Sequence, residues 1–383
     1  MFLALRDLRF ATGRFALMGS VVALISLLLV MLSGLTAGLG GQNTAAIDRL
    51  GEQGVQRLVF GGAADQEPTA SFTQSEFTVA QRDAWAATDG VASVEPLGVS
   101  QGRAIGLEHP VDTDPQGRAD VSGEPTTGVA TTAFIGLTPG GSDAPAGVEP
   151  GQIVLSQDVA DSLHAQAGDA VAVSGFVYTV ADVVPTEYYS HSPVTWLALE
   201  DWNAISHTAD DAVLGTAGLV RFDAGADVDA VAAAGDDAAG TVAETVKGSY
   251  AALPSYRSEN GSLMTMQGFL YGISALVVIA FLSIWTVQRT RDIAVLKALG
   301  GSNGWVLKDS LAQAAFVLVG GVAVGTGLAA AIGAFAGRAV PFELSWATTA
   351  VPAAGVLVLG MLAAVIAVYR VTRIDPLVAL GGN

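Results

Sequence analysis

"FALMGSVVALISLLLVMLSGLTAGL", residues 15–39, lies in a run with no Asp, Glu, Lys or Arg between Arg14 and Asp48. About 20 apolar residues suffice to carry a helix across the hydrocarbon of a bilayer, where only a helix or a closed barrel satisfies every backbone N–H and C=O. The apolar core is also longer than the ~7–15 residues of a secretory signal, so the run reads as a retained span. Three more stretches lack charge in the same way: between Glu259 and Arg289, between Asp309 and Arg338, and between Glu343 and Arg370. Only 14% of the chain is charged, against roughly 25% in a soluble protein, and the deficit sits in these runs. The expected fold class is a membrane protein with four transmembrane α-helices, one plus three. A large mixed α/β extracytoplasmic domain is inserted between the first and the second.

Orientation follows from the basic residues beside the spans. Arg6, Arg9 and Arg14 precede the first span; Arg289, Arg291, Lys297 and Lys308 separate the second from the third; Arg370 and Arg373 follow the fourth. By the positive-inside rule these segments face the cytoplasm. The expected organisation is a cytoplasmic amphipathic segment 1–14, helix 15–40, outer domain 41–260 with stalk ends, and helix 261–288. A cytoplasmic loop 289–309, helix 310–337, a short outer loop 338–343, helix 344–369 and a cytoplasmic tail 370–383 complete it. In the first segment Leu3, Leu5, Leu8 and Phe10 can face lipid while the arginines meet headgroups.

The net charge of −18 comes mainly from the outer segment, through acids such as Asp158, Asp161, Asp169, Asp236 and Asp237. Such a surface argues against a nucleic-acid partner, which needs basic residues. The chain has no cysteine, which removes disulfides, thiolate catalysis and thiolate ligands. Local patterns point to α/β structure. Ile47, Leu50 and Val55 continue the first helix as a stalk, and "RLVFGG" reads as a strand. Thr78 starts a helix of about ten residues with Gly90 as its stop. "GQIVLSQDVADSLHAQAGDAVAVSGFVYTVADVVP" reads as strand Ile153–Leu155, a helix from an N-cap at Ser156 to about Gln166, and a hairpin of Ala170–Ser174 and Phe176–Val184. Residues 61–71, 110–127 and 137–150 read as loops.

Between the second and third spans lies "RDIAVLKALGGSNGWVLKDS", residues 291–310. At 100° per residue Ile293, Val295, Leu296 and Leu299 share a broad apolar face, with Arg291 and Lys297 opposite; Asp292 falls inside that apolar arc. A solvated connector would read the same way. The segment resembles the cytoplasmic signature of the MacB/FtsX-like ABC permease family, and "RVTRIDPLVAL" near the C-terminus is similar to that family's ending. The strand–helix–hairpin unit at 153–184 is similar to one in its outer domain, whereas "GGSNGW" departs from the family's usual single glycine. The resemblance implies a homodimer in membrane lipid that binds two cytoplasmic ABC ATPase subunits. It further implies that Ile293, Val295, Leu296, Lys297 and Leu299 contact that ATPase. No G-x-x-x-x-G-K-[ST] motif occurs in the chain, so the expectation is a non-enzymatic subunit without intrinsic cofactor, with ATP bound by the partner.

Before the second span stands "LPSYRSENGSLMTMQGFLYG", residues 253–272, which resembles the segment at that place in HrtB-type haem exporters. The resemblance implies haem as transported ligand, Glu259 as its axial-ligand candidate, and Tyr256, Met264 and Met266 as neighbours. A carboxylate or phenolate at the membrane interface can hold ferric iron. Glu259 near a helix N-terminus would equally be favoured by the helix dipole, and the methionines would equally pack a span. Glu343, above the fourth span, is a rival ligand. His109, His164, His191 and His207 are scattered without metal-ligand spacing. "EYYSHSPVTWLALEDW", residues 187–202, concentrates aromatic residues and reads as strand edge and core, with a lid or dimer contact as the alternative. Other cargoes fit the same architecture, lipoproteins or antimicrobial peptides among them. So does an FtsX-like signalling module that activates a cell-wall hydrolase.

Overall fold

The computed structural model describes residues 12–62, 67–206, 212–288, 303–337 and 340–372. In chain order its elements begin with α1 (Thr12–Glu52), β1 (Arg57–Phe60), β2 (Phe77–Thr78), α2 (Val79–Ala86), β3 (Val91–Leu107) and β4 (Thr126–Leu137). There follow β5 (Gln152–Ser156), α3 (Gln157–Leu163), β6 (Ala170–Val173), β7 (Phe176–Val184), β8 (Tyr188–Tyr189), β9 (Ser192–Ala198) and α4 (Leu199–Ile205). Then come β10 (Val213–Gly215), β11 (Ala217–Phe222), α5 (Val228–Ala239) and β12 (Val242–Thr245), before the long helices α6 (Pro254–Gln288), α7 (Asn303–Ala336) and α8 (Trp346–Thr372). The chain divides into two compact units, residues 1–39 with 260–383, and residues 40–259.

In the second unit the strands run β12-β1-β11-β3-β4-β9-β5-β7-β6, and β6 also pairs with β3. The long strand β3 makes this closure possible. Ala217–Phe222 of β11 pairs with its first part, and Gly98 onward pairs with β4. Ala104–Gly106 then take β6 on their other edge. Side chains alternate across a strand, and the core follows that period. Leu58 and Phe60 of β1 join a cluster with Ala46, Ile47 and Leu50 from the end of α1. Val59 points to the opposite face, where Phe77, Trp85 and Ala232 bring in α2 and α5. A third cluster joins Ile153, Leu155 and Val171 to Val159 and Leu163 of α3 and Trp202 of α4.

Local chemistry sets several boundaries. Thr78 caps α2 reciprocally with Gln81: Gln81 N–H donates to Thr78 Oγ1 at 3.3 Å and Thr78 N–H to Gln81 Oε1 at 3.0 Å. Three expectations need correction. Ser156 stands at the N-cap of α3, but its hydroxyl donates to the Val194 carbonyl of β9 instead of capping. That helix ends at Leu163, not near Gln166, because His164 turns left-handed at φ 52°. The loop expected over 110–127 gives way to β4 at Thr126, since β3 pairs out to Leu107. The stalk expected ahead of the second span is part of α6, which starts at Pro254, where a proline's missing N–H costs nothing.

In the first unit four helices are long and apolar enough to cross a membrane: Phe15–Glu52, Pro254–Ile284, Lys308–Ala336 and Trp346–Val368. Their common core includes Met18, Val22 and Leu29 of α1, Val278 and Leu282 of α6, Leu318 of α7 and Ala364 of α8. Without a hydrophobic driving force in lipid, close approach depends on small residues. A Cβ on Gly325 would lie 2.1 Å from the Ala23 carbonyl oxygen, so α1 and α7 meet backbone to backbone there. Gly34 and Gly333 leave a slot filled by the Phe342 ring; a Cβ on either would sit 2.3 Å or 2.4 Å from it. The amide of Gln267 on α6 donates to Thr36 Oγ1 of α1 at 3.1 Å.

Candidate functional site

The sharpest polar constellation lies within the second unit, where the first helical turns of α6, the last turns of α1 and the β8–β9 turn come together. His191 Nε2 is 2.9 Å from both carboxylate oxygens of Glu259. Asn43, almost fully buried, donates from Nδ2 to Glu259 Oε2 at 3.2 Å. Ser255 donates to Asn43 Oδ1 at 2.7 Å, and the Ser190 and Ser255 hydroxyls are 2.8 Å apart.

Donor and acceptor roles order the chain from Ser255 through Asn43 to Glu259. In the Nε2–H tautomer the imidazole donates toward both oxygens; the same nitrogen lies 3.0 Å from Asn43 Nδ2, so imidazole, amide and carboxylate crowd one another. The Ser255 hydroxyl, committed to Asn43 Oδ1, accepts from Ser190 and fixes the amide so that its NH2 faces Glu259. Two side chains, His191 and Asn43, thus meet the carboxylate, and Ser255 and Ser190 hold Asn43 from behind. Side-chain exposures of 30% for His191 and 40% for Glu259 leave that carboxylate reachable.

The turn that presents His191 is unusual. Ser190 and His191 are its two central residues, with φ of 48° and 64°, and neither is glycine. A non-glycine residue in this region costs about 1–2 kcal/mol and persists where its surroundings hold it. Here the Ser190 N–H donates to the Asn43 carbonyl at 3.1 Å and the His191 N–H to the Gln42 carbonyl at 2.9 Å. The sidewall is built by α1. Thr44 donates to Asp48 at 3.0 Å, Asp48 accepts from the Tyr250 hydroxyl, and the Tyr250 ring meets that of Tyr256 edge-on at 5.5 Å. Burial, with the Asp48 carboxylate beside it, pushes the Tyr250 phenol well above its usual range, so it stays a protonated donor. Further along α1, Arg49 lies 3.5 Å from Glu187 and stacks over Trp196 at 5.5 Å. Burial raises the Glu187 carboxyl above its ordinary value, Arg49 opposes the shift and Glu52 adds to it.

The sequence-derived candidates part company here. Glu259 sits in the second turn of a helix that starts at Pro254, outside the first turn where the helix dipole acts, so that reading of its position is corrected. Tyr256 is one turn earlier on α6 and packs against the core around Leu50 and Trp196. Met264 and Met266 belong to the first unit, where their side chains are exposed instead of packing the span. Glu343 is exposed in the same unit, with its N–H bound to the Gly34 carbonyl at 3.0 Å. Ile293, Val295, Leu296, Lys297 and Leu299, the segments 1–11 and 373–383, and His207 lie outside the described residues. His191 was not singled out from sequence, because it lies 68 residues from Glu259 and no local motif links them. Among the described residues no group of three or more His, Cys, Asp or Glu side chains could hold a bare metal ion.

Comparison with known proteins adds the family of the membrane part. Residues 264–376 match the family described as FtsX-like permease C-terminal. This part of the chain is an FtsX-like permease domain. The permease domain takes in α6 from Met264, all of α7 and α8, and the stretch 291–300; Tyr256 and Glu259 lie just before it.

The chain is 22% identical over 387 aligned positions, covering both proteins end to end, to HrtB of Staphylococcus epidermidis, whose name assigns it provisionally to a hemin transport system permease. A second protein of that name, from Staphylococcus haemolyticus, is 29% identical over 130 residues, which is 34% of this chain and 37% of the relative's length. A solved structure of the extracellular domain of the ABC-type transporter YknZ from Gram-positive bacteria is 13% identical. It covers 49% of this chain and 95% of that one at a TM-score of 0.31, and adds nothing to the fold described above. With its four apolar helices and its match to a permease family over residues 264–376, the chain is a membrane protein.

Proposed function

We propose that the chain is the membrane subunit of an ATP-driven ABC exporter that draws haem, or a similar flat amphipathic molecule, from the outer leaflet and expels it. The observation that carries this reading is Glu259. It is a partly exposed carboxylate at the C-terminal end of the 40–259 unit, just before the permease domain in sequence, in a chain that aligns throughout with proteins named for hemin transport. Haem partitions into the outer leaflet, and a carboxylate at the water–lipid boundary can take its ferric iron axially. The 40–259 unit lies outside the cell and both termini inside, following the basic residues beside the spans.

Energy comes from two copies of a separate cytoplasmic ATPase, which seat on Ile293, Val295, Leu296, Lys297 and Leu299 of each protomer in a homodimer. Their closure on ATP moves α1 and α6, the two helices that lead into the 40–259 unit, and so squeezes the cargo outward. Near-absence of charged residues inside the spans suits a route that needs no polar channel through the inner half of the bilayer.

A deletion strain grown in haemin tests this reading. The expected result is growth arrest at haemin concentrations the parent tolerates, rescue by the wild-type chain, and rescue lost with Glu259→Ala. Full tolerance of haemin by the deletion strain, with new sensitivity to peptide antibiotics, would replace haem by a peptide cargo.

A further inference from the structure

We propose that His191 is a positioning residue that guards Glu259: in the unloaded protein it holds the carboxylate away from iron, and cargo must displace it to bind. The inference rests on the haem reading of Glu259. It goes beyond that reading by giving a task to the β8–β9 turn, which no sequence motif marks.

The geometry carries it. Nε2 stands 2.9 Å from Oε1 and from Oε2, in the space between the two oxygens that an approaching iron would use. The Asn43 amide occupies a further position on Oε2 at 3.2 Å. A carboxylate so engaged binds iron only by giving up charge-assisted hydrogen bonds, so unloaded protein and cargo compete for the same oxygens. The competition reaches the backbone. His191 and Ser190 are the left-handed pair of the turn, and their N–H groups hold the Gln42 and Asn43 carbonyls of α1. Ser190 also meets Ser255 of α6 at 2.8 Å. The turn is therefore fastened to α1 and α6 at once, and displacing the imidazole removes one of its anchors. Loading of cargo and loosening of the turn become one event, felt at the two helices that lead into the membrane.

The test uses the full chain in lipid nanodiscs, with haemin titrated at its Soret band and hydrogen exchange followed at residues 188–194. Four proteins are compared: wild type, His191→Ala, His191→Gln and Glu259→Ala. His191→Ala is expected to bind haemin roughly tenfold or more tightly, the factor one competing charge-assisted hydrogen bond is worth, with the Soret position unchanged. His191→Gln, which keeps an N–H donor, is expected to return affinity toward wild type, a rescue that a merely structural role would not give. Haemin is expected to speed exchange of the Ser190 and His191 amides in the wild type. Weaker binding or a displaced Soret band in His191→Ala would make His191 an iron ligand, overturning the guard while leaving the haem reading intact. Unchanged exchange on loading would overturn the coupling to the turn. A wild type with no haemin band would overturn the haem reading itself, and the guard with it.

Discussion

Removing residues 291–300 is expected to abolish recovery of the partner ATPase with the permease while leaving an inserted, folded permease. The expected loss is large because the segment has little else to offer a partner. Ile293, Val295, Leu296 and Leu299 share one face of a helical wheel, and burying such side chains is worth about 1.5–3 kcal/mol each. The gross gain of roughly 6–12 kcal/mol is of the same order as the ~4–15 kcal/mol that association costs in lost freedom, so no part of the face is dispensable. Leu296→Asp with Leu299→Asp is expected to match the deletion. Lys297→Ala is expected to change mainly the salt dependence of association, as a rim charge does. Affinity purification from membranes at two salt concentrations reads both. Undiminished co-purification of the ATPase with the deleted chain would remove this segment from the interface.

Asp143→Ala is expected to destabilise the 40–259 unit by about 3 kcal/mol, at the low end of what breaking a buried ion pair costs. Asp143 is 1% exposed, and its Oδ1 accepts from Arg221 Nη2. Without it the half-buried guanidinium keeps Glu95, 3.8 Å away, and the Gln53 carbonyl at 3.4 Å. Burial, reinforced by the Asp143 charge and opposed by Arg221, raises the Glu95 carboxyl above its ordinary value. A raised carboxyl stabilises the fold below its unfolded pKa and loses that contribution as pH climbs through the folded one. Deleting Asp143 therefore eases Glu95 toward ionisation and makes it the replacement partner. Asp143→Ala with Arg221→Leu is expected to recover most of the loss. Denaturant unfolding followed by Trp85, Trp196 and Trp202, with the other three tryptophans changed to Phe, measures it. A loss under about 1 kcal/mol would mean Glu95 already carries Arg221 alone.

What the sequence made legible was what is written locally. Four uncharged runs forecast four apolar helices, because exclusion of charge is a property of each run by itself. The Ala170–Val184 hairpin and the Thr78 cap were legible for the same reason: turn glycine, cap hydroxyl and Gln81 are neighbours in sequence. Long-range pairings were not. The closure of β6 on β3 depends on a strand of 17 residues pairing with segments far away in sequence, which no local pattern announces. The Ser156 hydroxyl had a cap written into its position, yet the β9 carbonyl took it. The β8–β9 turn was hidden because Ser-His lacks the glycine or asparagine that announces two left-handed residues. Its conformation is imposed by α1, far away in sequence. Glu259 stands in the segment before α6 that carries a family resemblance; the imidazole that engages it is one of four scattered histidines with no local pattern to mark it.

One titration bears on the whole scheme: haemin added to the permease reconstituted with its ATPase in lipid nanodiscs, read at the Soret band before and after trapping with ATP and vanadate. Saturable binding without nucleotide, discharged on trapping and absent in Glu259→Ala, is the expected outcome. A band of equal strength in Glu259→Ala, or one that nucleotide leaves untouched, would contradict it.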